Sequence, residues 1–138
     1  MKKKFEFLEH TADIKFRAFG KTLEEVFENS ALAMLSTMYK EKVKEEKKLK
    51  IKVEGKDLEN LLYNFLEEFL FLFDSKNFLF SDVKHIKIDE KNLTVEAEIS
   101  GDDAKDYKII TSIKAVTYNE MFVKKAKDGW EAQVVVDV

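Results

Sequence analysis

An α+β domain, with mostly antiparallel strands and two helices packed against them, is what this sequence predicts. Three observations carry the prediction. Several short runs alternate apolar and polar residues at period two. Two longer segments repeat apolar residues at helical spacing. The elements follow the order β-β-α-β-α and then several more β. The 138 residues hold no repeat and no low-complexity linker, so residues 1–138 form a single domain. A chain of this length buries roughly 68% of the surface it exposes unfolded. Twelve phenylalanines and 45% apolar residues supply a core of its own.

The elements can be justified in order. "FEFLE" at 5–9 and "DIKFRAFG" at 13–20 alternate as half-buried strands do. In the second, Ile14, Phe16 and Ala18 share one face, Lys15, Arg17 and Phe19 share the other, and Gly20 closes it. Thr22 and Glu25 make a T-x-x-E capping box. Behind it Leu23, Val26, Phe27, Ser30, Ala31, Met34, Leu35 and Met38 recur at helical spacing, a core stripe rather than a ligand pocket. "YKEKVKEEKKLK" is a charged, solvated connector, and "KLKIKVEG" is a third strand with Leu49, Ile51 and Val53 on one side. Asp57 caps a second helix, "LENLLYNFLEEFLFLF", whose apolar positions wrap most of its circumference, so it packs centrally against the sheet. Four strand-like runs complete the chain: "FLFSDVKHIKID", "NLTVEAEIS", "TSIKAVTYNEMFVKKA" and "WEAQVVVDV". "DEKN" and "KDG" are the turns between them.

Composition excludes several classes of function. With no cysteine there is no disulfide, zinc–thiolate site or thiol nucleophile. The glycines, at 20, 55, 101 and 129, are scattered, and no dinucleotide-binding, phosphate-loop or nucleophile-elbow motif occurs. "MKKK" is not followed by an apolar stretch long enough for a signal peptide, and "FLEEFLFLF" is too short to span a bilayer. The expectation is a soluble, cytoplasmic protein with no membrane association. Net charge is −3, and glutamates dilute the lysines of "KEKVKEEKKLK", which disfavours tight nucleic-acid binding by the chain alone. The Lys and Glu excess behind the 37% charged residues fits heat adaptation or an AT-rich genome.

Two stretches gather polar groups that a plain strand does not need. "EHTADI" sets Glu9, His10, Thr11 and Asp13 at the start of a strand. His10 has two readings, a hydrogen-bonding structural residue or a direct functional group. His85, in "VKHIKI", falls on a solvated strand face. "AQVVVDV" puts Val134, Val136 and Val138 on one face and Val135 and Asp137 on the other. Either that terminus is frayed and solvated, or it is pinned, with Asp137 and the Val138 terminal carboxylate used together. Adjacent carboxylates repel unless a cation or donor separates them. Hard divalent cations take several oxygen ligands, and Asp13, Asp137 and the Val138 carboxylate would offer three such groups. Spacing alone does not bring Asp13 to Asp137.

The stretch "EHTADIKFRAFGKTLEEVFENSALAMLSTM" resembles the N-terminal signature of the archease family. "LENLLYNFLEEFLFLFD" is similar to that family's second helix, "IKAVTYNEMFV" to its V-K-A-x-T-Y segment, and "VVVDV" to its C-terminus. The motifs run in the family's order from about residue 5 to the end. The resemblance implies a non-enzymatic activator of the RtcB-type tRNA-splicing RNA ligase. Such an activator promotes guanylylation of the ligase and its multiple turnover, broadens its nucleotide use, and associates with tRNA through the ligase. It also implies a divalent metal site at Asp13, Asp137 and Val138, with Ca²⁺, Mg²⁺ or Mn²⁺ as the ion, and a functional Lys114. Lys114 would contact a nucleotide phosphate or a ligase acid, or else balance local charge. The chain departs from the family at Asn119, where many members carry histidine, and in "GDDAKDYKI", which lacks a His-Gly pair. The other functional classes are a chaperone-like or RNA-associated binding module and a small metal-dependent phosphoesterase.

Overall fold

The computed structural model describes residues 3–9 and 13–138. In chain order the elements are β1 (Phe5–Leu8), β2 (Ile14–Gly20), α1 (Leu23–Ser36), β3 (Lys47–Glu54), α2 (Leu58–Lys76), β4 (Phe78–Asp89), β5 (Thr94–Asp103), β6 (Ala115–Ala126) and β7 (Gly129–Asp137). The strands form a four-stranded sheet, β1-β2-β7-β6, and a three-stranded sheet, β3-β5-β4. Every strand pair among the described residues is antiparallel. Both helices pack between the sheets, as an α+β arrangement requires.

The helices start where the sequence expects. Thr22 Oγ1 accepts from the Glu25 amide, and Asp57 Oδ1 accepts from the Asn60 amide. The capping box differs in one bond: Glu25 Oε1 accepts from the amide of Lys21, one residue outside the cap. α2 runs past its apolar stretch to Lys76 and ends at Asn77, whose left-handed φ of 55° lets its amide reach back to Leu72 and Phe73. The expected apolar stripe of α1 is buried, Met38 included, although Met38 lies beyond the helix end.

An aromatic chain joins the layers. Phe27 of α1 meets Phe65 of α2 at 5.6 Å between ring centroids, Phe65 meets Phe69 at 5.1 Å, and Phe69 meets Phe80 of β4 at 4.8 Å. Leu61, Leu62 and Leu66 fill the space between. Burying a large apolar side chain contributes about 1.5–3 kcal/mol, so this seam holds the helices to each other and to the three-stranded sheet.

Two strand boundaries differ from the sequence reading. "NLTVEAEIS" pairs only from Thr94, because Asp89 accepts from the amides of Lys91 and Asn92 and folds the chain into a turn that ends with Leu93 at φ 52°. In "TSIKAVTYNEMFVKKA" the first four residues are not strand. There the chain crosses from the three-stranded sheet to the four-stranded one. It is anchored by Ile110 N–H to Met38 O, by the buried Ile113, and by Lys114 N–H to Asp137 O.

Glutamates on the helices cover exposed strand edges. Glu67 Oε2 accepts from the Val116 amide at 2.7 Å, and Glu59 Oε2 from the Val123 amide at 3.2 Å, both on β6. Glu24 of α1 does the same for Ile88 on β4. An edge amide satisfied in this way cannot template another strand. Glu67→Ala should cost about 1–3 kcal/mol of unfolding free energy, since it leaves the Val116 amide without its acceptor. Glu67→Gln, which keeps an acceptor oxygen, should recover most of that in chemical denaturation.

At the other end of β6 the turn to β7 presses on the β2–α1 joint. A Cβ on Gly129, which sits at φ +148°, would lie 2.2 Å from Gly20 O. Gly129→Ala should therefore destabilise the fold by about 2 kcal/mol or more, read as a lowered thermal midpoint.

Candidate functional site: the acidic end of the four-stranded sheet

Strand register decides which residues of "EHTADI" and "VVVDV" can meet. β2 pairs with β7 as Ile14↔Val136, Lys15↔Val135 and Phe16↔Val134. Continued by one residue, that register sets Asp13 across from Asp137. β6 pairs with β7 as Ala115↔Asp137, and the Lys114 amide donates to Asp137 O at 2.8 Å. The structure thus brings Asp13, Asp137, Val138 and Lys114 to one end of one sheet. Asp13 and Asp137 are half-buried, while Lys114 and Val138 are exposed. His10 lies outside the described residues. His85 is exposed on the other sheet, as expected, and takes no part.

By strand alternation Asp13 and Asp137 share the sheet face that turns away from the helices, with Lys15, Arg17, Gln133 and Val135. Directly opposed residues sit about 4.5–5.5 Å apart at Cβ, and like charges placed so are destabilising. The pair is a set of hard oxygen donors, with main-chain oxygens of Val138 beside it, and such donors fit a divalent cation. Among the described residues no three His, Cys, Asp or Glu side chains gather as a metal-ligating group. The oxygen groups that meet at this end are two aspartate carboxylates and main-chain oxygen.

A network beside the acids was not legible in the sequence. The β6 register jumps from Thr117↔Val135 to Phe122↔Gln133, so residues 118–121 bulge out of the strand. Glu120 there adopts φ 55°. Its carboxylate takes Lys15 Nζ at 3.0 Å, with the lysine side chain only 15% exposed. Its carbonyl accepts from Gln133 Nε2 at 2.7 Å, and Gln133 Oε1 accepts from Arg17 Nε at 2.8 Å. Lys15 thus lies two residue pairs along from the opposed aspartates, next to them on the same face, held by a residue 105 positions away in sequence. Alternation places Lys15 on the face opposite Phe16, and no local signal announces a partner so distant. On the α2 side of the bulge Tyr118 stacks on Tyr63 at 4.3 Å and its hydroxyl accepts from Asn60 Nδ2. Asn119, one of the departures from the family pattern, is exposed.

Fold and sheet end together define a small α+β domain that presents opposed acids at a sheet terminus. The chain belongs to the archease protein family, whose pattern it matches over residues 5–138. It is 44% identical to the protein archease of Methanosarcina barkeri, over 99% of this chain and 97% of that one. It is 43% identical to the protein archease of Sulfurisphaera tokodaii, over 98% and 99%. The solution structure of protein 1598 from Methanobacterium thermoautotrophicum superposes with a TM-score of 0.85 at 36% identity, covering 98% of this chain and 99% of that one. The crystal structure of an archease, described as a possible chaperone, from Thermotoga maritima shares the fold with a TM-score of 0.66 at 22% identity, covering 100% and 98%. No described helix is long and apolar enough to cross a membrane.

Where the two aspartates stand opposed, removing the Asp137 charge relieves repulsion. In chelator, Asp137→Asn should raise unfolding free energy by about 0.2–1 kcal/mol. Thermal melts of the wild type and the variant check this.

Proposed function

We propose that this chain is an activator of an RtcB-type tRNA-splicing RNA ligase, with no reaction of its own. In this reading it promotes guanylylation and multiple turnover of the ligase, extends its nucleotide use, and meets tRNA through the ligase. The observation that carries the reading is the register that ranges Asp13, Asp137, Val138 and Lys114 along one sheet end. Family membership supports it.

The acidic end docks at the ligase active site. Asp13, Asp137 and Val138, through its terminal carboxylate, would hold a Ca²⁺, Mg²⁺ or Mn²⁺ ion, which supplies positive charge between the opposed carboxylates. Lys114, exposed beside Asp137, adds a mobile cation that reaches a nucleotide phosphate or a ligase acid. The rigid antiparallel ladder keeps these groups in one arrangement. A partner can be shifted only through differential affinity for one of its states, so this end must bind the guanylylation-competent ligase more tightly. A tenfold preference corresponds to about 1.4 kcal/mol, within the reach of one or two charge-assisted contacts.

The test is RNA ligation with ligase well below substrate concentration. Asp13→Ala, Asp137→Ala and Lys114→Ala should each keep the fold by circular dichroism and lose multiple turnover. Stimulation at the wild-type level by all three would reject the site and favour a chaperone-like module. RNA-end hydrolysis by the chain alone would instead revive the phosphoesterase reading. A tag fused after Val138 converts its carboxylate to an amide and should weaken Ca²⁺ binding in calorimetry; unchanged affinity would remove Val138 from the ligand set.

A further inference from the structure

The opposite end of the same sheet gathers exposed lysines. Gly20 pairs with Trp130, Ala126 with Gly129, and the Phe19 amide donates to Lys4 O, so the start of β1, the end of β2 and the β6–β7 turn meet there. Two adjoining cavities open at this end and share Lys3, Phe19 and Gly20. One, of about 400 Å³, is lined by Trp130 and Lys127 as well. The other, of about 470 Å³, reaches Lys4, Lys21 and the first turn of α1. Lys3, Lys4, Lys21 and Lys127 are all exposed. Of the acids nearby, Glu6 pairs with Lys3, Glu25 is engaged by the Lys21 amide, Glu131 faces Arg17 at 3.8 Å, and Asp128 lines the first cavity, so Lys4, Lys21 and Lys127 carry the charge argued from here. The positive end of the α1 dipole points into the same region.

We infer that this end binds single-stranded nucleic acid, with lysines on the backbone phosphates and bases against the Phe19 and Trp130 rings. Lysines alone would fit any polyanion. The aromatic lining makes the difference, because Phe19 and the half-buried Trp130, from opposite faces of the sheet end, both offer apolar ring surface to one cavity beside the cations, as contacts to base and phosphate together require. Lys125 lies 5.7 Å from the Trp130 ring centroid and adds a cation on that ring. Each cavity falls in the size range of small-ligand pockets, suited to an unstacked base and not to a duplex. The overall charge of −3 does not oppose this, since the lysines are segregated from the Asp13–Asp137 end. It does limit strength: the binding is non-specific and salt-sensitive, with Kd on the order of 1–100 µM. The inference stands apart from the ligase reading, because it uses none of the residues assigned to that site.

Trp130 is the single tryptophan of the chain, so its fluorescence reports on this end directly. Titration of the full chain with decauridylate at low salt should give saturable quenching. With three or four phosphates engaged, log K should fall with log salt at a slope of about −2 to −3. Lys21→Ala and Lys127→Ala should each flatten that slope by about 0.7, and Lys21→Glu with Lys127→Glu should weaken binding at least tenfold. Should the double variant misfold, the two alanine variants decide the matter. Asp13→Ala should bind decauridylate like the wild type. Absence of quenching, slopes unchanged in both alanine variants, or polyglutamate of matched charge binding as tightly as decauridylate would each overturn the inference.

Discussion

The structure depends on β7 being paired on both sides. Its antiparallel registers, Ile14↔Val136 toward β2 and Ala115↔Asp137 toward β6, fix where three distant stretches of chain meet. Side chains alternate along a strand, so a slip of one residue would move Val134 and Val136 from the core to the open face and turn Asp137 toward the helices. Both valines are fully buried. The apolar face of β7 therefore locks the position of an acid it never touches. The glutamates of α2 protect the same arrangement from outside, by occupying β6 amides that would otherwise invite another strand.

Much of the fold was legible because its determinants are local. The N-caps at Thr22 and Asp57, the helical stripes and the alternation of β2 and β7 all act within a few residues, and each appears where the pattern places it. Where the reading went astray, the cause was non-local. Residues 111–114 carry an alternating pattern but must cross between sheets, and tertiary geometry overrides propensity there. The bulge at 118–121 has no glycine or proline to announce it, and its Glu120 is held in a left-handed conformation by Gln133 and Lys15 from two other strands. For the candidate site, the sequence named the residues, while their meeting followed only from register.

The bulge also gives the sheet face a layered electrostatic arrangement. Val135 sits on the face away from the helices and is nonetheless fully buried. Around it run Lys15–Glu120, Gln133, and Arg17–Glu131, so Lys15 and Arg17 each have an anionic or carbonyl partner. A lysine as buried as Lys15 loses hydration, and an ion pair offsets that cost only when well oriented. Glu120 provides the orientation by accepting the cation with its carboxylate while its carbonyl is fixed by Gln133. The network ends next to Asp13 and Asp137, which gives that sheet end a stiff foundation on the side away from the core.

The two ends of the four-stranded sheet stand about 20 Å apart, the length of seven residues of β2 at the usual strand rise. One carries opposed aspartates, the other exposed lysines and an aromatic lining. At physiological ionic strength the screening length is about 8 Å, so a partner near one end feels little of the other. The ends therefore act as independent surfaces held at a fixed distance, and not as one averaged charge of −3. A body of this kind orients itself against any partner with a matching charge pattern, because only one approach satisfies both ends. The ladder that sets the acids opposite each other also sets that orientation, so substitutions in the apolar core of β7 would disturb both surfaces together, whereas charge changes at either end would remain local.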